Sequence, residues 1–475
     1  MLKWLEQIRF RKRTFLDDPV IEFSSGEILT LRDTFEGIFF MGSIGSGKTS
    51  SCKTLYTSML KNDFGGLALS VKEEFIDEFL TLAKQCGREN DVILFGNEYD
   101  NCFNPLENKT VNEATDLICE ISETLEKQGD STRASEGFWR THLEILLKNL
   151  LTIELKHNGD ISIPKIGALF ADRANSVAKL ASPDWRKKSI LCRKLMQVRE
   201  RFPEDTEVIL AEEYFTKTFP DYGDRFQSSL SGLLQSVIDR LRRPPLVDLF
   251  CKDSTFSMYD IIERRKICLV TNNVLGSNSR HVDKTDGLIT NIILQYCFTS
   301  EASRIKERIF PAFLLCDECQ ETATRHLVRQ LSILRQYRIS VVPTTQSLAV
   351  MDTRIGREAR EALTGNMATK IFCRLNDSKT REWAAQEIGK DIVQRKSKSR
   401  SSSRSYNSAS SNRSDSIQDI IDFRVQPKKF SDLKTGGEGN NFIVETICLN
   451  GGHFWNSKWH QIKPGKKSSA KPVVN

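Results

Sequence analysis

A chain of 475 residues, 39% hydrophobic and 28% charged, is long enough to bury a sizeable core and divides by length into two or three domains. The net charge of +7 permits an acidic partner, nucleic acid or membrane surface, without demanding one. No stretch approaches the roughly 18 to 20 apolar residues of a membrane span, and the 12 cysteines lack the spacing of a disulfide framework, which points to reduced, intracellular thiols.

The chain opens on MLKWLEQIRFRKRTF, a basic segment carrying Leu2, Trp4, Leu5, Ile8 and Phe10. Its apolar part is too short for a secretory signal. It reads as an amphipathic helix, lying on a membrane or partner or, more ordinarily, packed on its own domain. Gly37 to Met41 follows as a buried strand. It runs into Gly42, Ser43, Ile44, Gly45, Ser46, Gly47, Lys48, Thr49 and Ser50, which fit the phosphate-binding pattern G-x-x-x-x-G-K-[ST]. Glycines let the backbone curl so that several N–H groups point at one anion. A helix starting near Lys48 adds its positive end. Lys48 supplies a point charge for the β- and γ-phosphates, and Thr49 a hydroxyl for Mg²⁺.

Gly65–Val71 and Asp91–Gly96 read as the next strands, with a helix over 73–86 between them. From 106 to 247 the pattern turns helical. Trp139, Leu143, Leu146, Leu147, Leu150 and Leu151 recur at helical spacing, and Ser228–Arg243 forms another amphipathic helix halted by Pro244 and Pro245. Strands resume at Lys266–Asn273. The apolar run Ala312–Cys316 is a buried strand with Asp317 and Glu318 at its carboxyl end, where ligands gather in open α/β sheets. Asp317 is placed to hold Mg²⁺ through water, and Glu318 to orient or deprotonate an attacking water. Cys316 and Cys319 straddle this pair and read as incidental rather than as a redox or zinc site.

A helix with Leu327, Leu331 and Leu334 on one face then leads through Arg335 and Arg338 to a second buried strand, Ile339–Ser347. Its polar end carries Gln346, within reach of a γ-phosphate or its water. Either arginine reads as a helix-end cation or as an arginine finger reaching a neighbouring subunit's nucleotide. Ala368–Leu375 is a strand and Thr380–Gly389 a helix. Residues 395–416 are almost pure Ser, Arg, Lys and Asn and read as a disordered loop, with a strand following at Asn440–Asn450 and a loose tail at 463–475.

The ordered series resembles the type IV coupling proteins of bacterial conjugation, the TraD/TraG-type ATPases of the HerA–FtsK group. MGSIGSGKTSS is similar to their P-loop, SVKEEF and FNPL to their second-strand segment and the entry to an all-α domain. LLCDECQETATRHLVRQLSILRQYRISVVPTTQS follows their order of acidic strand, helix and glutamine strand, and NMATKIFCRLND and EIGK resemble the later core. The resemblance implies an α/β, RecA-like P-loop core with a mainly parallel sheet, formed by residues 1–105 and 248–475 and interrupted by an inserted all-α domain at 106–247. It implies ATP and Mg²⁺ at Lys48, Thr49, Asp317, Glu318 and Gln346, with Arg335 as the finger. It further implies a homo-oligomeric, commonly hexameric ring around DNA, fed by relaxase or secretion-channel partners.

Two departures stand out. The family usually carries two N-terminal membrane helices, and here there are none. A phenylalanine commonly follows the acidic pair, where this chain has Cys319. The expectation is therefore a cytoplasmic DNA-moving ATPase, touching the inner membrane only peripherally or through a partner. Two other readings stand beside it: a soluble motor in mobile-element maintenance or anti-phage defence, and an ATP-dependent adaptor that recruits substrates without pumping DNA.

Overall fold

The computed structural model describes residues 15–126, 133–272, 282–305, 310–405 and 408–461. Their strands, in chain order, are β1 (Pro19–Glu22), β2 (Ile28–Thr30), β3 (Ile38–Met41), β4 (Gly65–Ser70), β5 (Val92–Phe95), β6 (Ile267–Thr271), β7 (Ala312–Cys316), β8 (Ile339–Thr345), β9 (Thr369–Phe372), β10 (Lys390–Ser405), β11 (Ser408–Phe423), β12 (Ile443–Asn450) and β13 (His453–His460). Contacts group the chain into two units, Met1–Met59 with Val342–Asn475, and Leu60–Val341.

In the first unit β3 is the central strand. It pairs in parallel with the end of β8 and with β9, and antiparallel β12 and β13 extend the sheet beyond β9. All four residues of β3, Ile-Phe-Phe-Met, are buried, which is why the strand reads as a continuous apolar run rather than an alternating one. Phe39 and Phe372 both meet the edge of Trp383, from the helix Ser378–Ile388. The small β1–β2 ribbon packs Phe23 between Trp455 and Trp459 of β13.

In the second unit β7, β4, β6 and β5 lie side by side, all parallel. The chain leaves β5 for a run of helices from Val111 to Ile262 and returns at β6. The longest, Arg133–Asn158, buries Leu143, Leu146, Leu147, Leu150 and Leu151 along one stripe, and half-buried Trp139 stacks on Phe226 of the helix Asp224–Leu241. After β6 comes the helix Lys284–Arg304. It is buried along most of its length and carries a polar stripe of Asp286, Thr290, Asn291, Gln295 and Thr299. The α/β class expected from the sequence holds; the pairing is parallel throughout the second unit's sheet, and in the first unit β8, β3 and β9 are parallel while β12 and β13 add antiparallel strands.

The expectation of a disordered loop at 395–416 is corrected. Apart from residues 406 and 407, which lie outside the described residues, the segment belongs to the antiparallel hairpin β10–β11, in register from Lys390↔Phe423 to Ser405↔Ser408. Composition misled because a two-stranded ladder is bonded through the main chain. At its base Ile392 is paired with Ile421, both largely exposed, and Lys390 with Phe423. The expected amphipathic segment at 1–15, except for Phe15, and the tail 463–475 lie outside the described residues. Among those described, no helix is long and apolar enough to cross a membrane.

Candidate active site

The loop after β3 has the conformation its glycines require. Gly45 and Gly47 take φ of +70° and +85°, a region that a side chain disfavours. At Gly47 a Cβ would also sit 2.4 Å from Val444 Cγ2. The Ser46 amide bonds Ser43 O, closing the turn, and the helix Lys48–Lys61 starts directly from the loop. The Ser43 amide bonds Arg374 O, and Ser43 Oγ accepts from the Asn376 amide, so the segment after β9 fixes the near side of the loop. Gln461 Nε2 donates to Ser50 Oγ at 3.0 Å on the far side. Ile44 and Thr49 are exposed, while Lys48 is only 8% exposed.

Gln346 belongs to the same cluster. Phe40 and Met41 lie opposite Thr344 and Thr345, and the Gly42 amide bonds Thr345 O, so the glutamine leaves β8 where the loop leaves β3. The Ser46 hydroxyl is buried inside the loop, beside the Cys373 thiol. A positive-φ loop at a helix start fits a phosphate chain. The exposed Thr49 hydroxyl is a hard oxygen of the kind that Mg²⁺ takes.

The second unit holds the acidic pair. The Asp317 amide bonds Leu69 O, and Ser70 Oγ donates to Asp317 Oδ2 at 3.2 Å, because β4 and β7 end side by side. Glu318 is 2% exposed and stands in the left-handed region, φ 48° and ψ 62°. Such a conformation costs on the order of 1 to 3 kcal/mol for a residue with a side chain, and it clusters at functional sites. Gln320 Nε2 donates to Glu318 Oε2 at 2.9 Å.

Sequence reasoning missed Lys72. Its Nζ lies 2.5 Å from Glu318 Oε1 and 3.4 Å from Asp317 Oδ2. Burial alone would lower the lysine pKa, but the Asp317 and Glu318 carboxylates more than offset it and hold it above the usual range. The available signal was position: Lys72 stands just past the carboxyl end of a parallel strand, on the same edge as the acidic pair. Gln295 was missed too. Wholly buried, it donates to Thr322 O at 2.6 Å and accepts from the Thr324 hydroxyl at 2.8 Å. Thr322 Oγ1 in turn donates to Asp317 O at 3.1 Å, so the helix Lys284–Arg304 braces the loop behind the pair.

Arg335 lies exposed in the turn Arg335–Tyr337 that ends the helix Arg325–Leu334. Arg338 takes a left-handed conformation, and its main chain bonds Arg335 O and the Ala312 amide, committing it to the entry of β8. Cys316 and Cys319 are buried and unbridged, and burial pushes the Cys316 thiol up to about 12.

Residues 311–423 match the family model described as the TraM recognition site of TraD and TraG. That segment contains Asp317, Glu318, Arg335 and Gln346. Solved structures share the fold along nearly the whole chain. The unbound bacterial conjugative coupling protein TrwBdeltaN70 is 14% identical, with a TM-score of 0.62, over 97% of this chain and 91% of its own. The plasmid coupling protein TrwB in complex with ADP and Mg²⁺ is 15% identical, with a TM-score of 0.61, over 96% and 91%. VirB4 of Thermoanaerobacter pseudethanolicus is 10% identical, with a TM-score of 0.52, over 95% and 98%. No curated protein matches the sequence. At these identities the structural likeness establishes the fold, an α/β RecA-like P-loop fold. The resemblance read from the sequence thus meets a family match over 311–423 and a common architecture around it.

Proposed function

We propose that this chain is a coupling-protein-type ATPase that hydrolyses ATP to move DNA, or a DNA–protein substrate, through a homo-oligomeric ring. The family match over 311–423 carries the reading, because that segment contributes the acidic pair, the glutamine and the arginine. The positive-φ loop at Gly45 and Gly47 supports it independently. A hexamer, relaxase or channel partners, peripheral contact with the inner membrane, and an inserted all-α domain at 106–247 belong to the same proposal.

Mg²⁺–ATP supplies the phosphoryl group and neutralises the charge that develops on it during transfer. In this reading the loop amides of residues 42–50 and Lys48 bind the phosphates. Thr49 and Asp317 hold the metal. Glu318 takes the proton from the attacking water, and Gln346 orients that water. Arg335 offsets charge at a neighbouring subunit's nucleotide. Glu318→Gln is expected to bind ATP normally and to hydrolyse it ~10² to 10⁴-fold more slowly, since an amide keeps the shape and cannot take a proton. Nucleotide binding and single-turnover hydrolysis check this, and normal turnover would move the base to Glu321.

The function is tested by measuring ATP turnover with and without single- and double-stranded DNA, with particle size followed in the same samples. Turnover that rises with DNA, in particles the size of a ring, is the expected result. Turnover indifferent to DNA would remove the pumping function and leave an ATP-dependent adaptor.

A further inference from the structure

Two adjacent carboxylates, one almost fully enclosed, carry charge that water cannot screen. Such groups are held by a partner cation or neutralised. The side chains of Glu318 and Asp317 are 3% and 12% exposed, and the Lys72 ammonium faces both of them. Lys72 itself is 37% exposed and stands beyond the end of β4, just before the helix Glu73–Gln85, so its long stem has a path into solvent. Its ammonium is a compact charge on a flexible chain rather than a planar fork locked to one carboxylate. Glu318 has a second hold, the Gln320 amide at Oε2, and stays oriented whether or not Lys72 remains.

Asp317 Oδ2 is thus approached by an internal cation at the group expected to bind Mg²⁺. Two cations at one carboxylate repel, so one must yield. We infer that Lys72 is an internal counter-ion, a positioning residue that holds the acidic pair when no metal is bound and that a divalent ion at Asp317 displaces. The inference rests on the proposed function for the metal and for its place at Asp317. It makes metal binding a cation exchange, with the ammonium swinging outward as the divalent ion enters.

The test uses the full chain without nucleotide, melted in EDTA and across a MgCl₂ titration, for the wild type, Lys72→Met and Lys72→Arg. Lys72→Met should melt at least about 3 °C below the wild type in EDTA. Mg²⁺ should restore most of that loss, with a midpoint about tenfold or more below that of the wild type, because the internal competitor is gone. Lys72→Arg should melt like the wild type in EDTA and need more Mg²⁺ to be displaced, because its fork holds the carboxylates more firmly. If Lys72→Met melts equally low with and without Mg²⁺, the lysine is only a structural ion pair and the inference falls. It also falls if Lys72→Met melts like the wild type in EDTA. Should Lys72→Met fail to fold, Lys72→Met/Glu318→Gln decides. Recovery of folding shows that uncompensated charge was the fault, and continued failure assigns Lys72 to packing and overturns the inference. Fluorescent ATP binding by the wild type in the same samples keeps the two readings apart. A Mg²⁺ response without nucleotide binding would sink the proposed ATPase and leave the exchange standing.

Discussion

Lys48→Ala is expected to lose ATP turnover by a factor on the order of 10² to 10³ or more, the usual cost of removing a preorganised positive group from a phosphoryl-transfer site. Lys48 is 8% exposed, starts the helix Lys48–Lys61, and lies near Cys373 behind the loop. Alanine therefore removes enclosed methylenes as well as the charge. Lys48→Met, which keeps the stem, separates the two effects. Both variants should be inactive, and only the alanine should lose melting temperature. Wild-type turnover in Lys48→Met would overturn the nucleotide assignment.

The parts of this chain that were legible from sequence were those in which one physical pattern dominates a short window. Ile38–Met41, Gly65–Ser70, Ala312–Cys316 and Ile339–Thr345 are apolar runs covered on both faces, and each appears as a strand within a residue or two of its expected limits. The phosphate loop was legible because its glycines are required by backbone geometry at fixed spacing. Lys72 was hidden for the opposite reason. It meets Glu318 across 246 positions of chain, only because β4 and β7 pair in parallel, and no local pattern encodes that pairing. Gln295 was hidden because a glutamine within a polar stripe of a helix looks like any surface polar residue until its partners Thr322 and Thr324 are in place. The hairpin 390–423 was read by composition, which measures the capacity to bury side chains and says little about a ladder bonded through the backbone.

Arg335→Ala tests assembly together with chemistry. The side chain is exposed on a turn, whereas the main chain of Arg338 is engaged at the start of β8. Arg335 is therefore the arginine better placed to reach another molecule. As an arginine finger it should be worth 10³-fold or more in turnover. As a helix-end cation it would contribute only about 0.3 to 1 kcal/mol of stability and almost nothing to rate. These outcomes differ by orders of magnitude, so a single rate measurement with a melting curve separates them. A second measurement asks where the finger acts. In mixtures of Arg335→Ala with Lys48→Ala, a finger that works across a subunit boundary leaves some interfaces with both an intact loop and an intact arginine. Part of the activity should return, although each variant alone is inactive. A finger working within its own subunit gives no return, because no single chain carries both groups. If motion along DNA depends on the same ring, stimulation by DNA should fall in Arg335→Ala together with the basal rate and reappear in the mixtures. Full DNA-stimulated turnover in Arg335→Ala would transfer the role to Arg338. Two inactive arginine variants with no rescue would leave the ring itself without support.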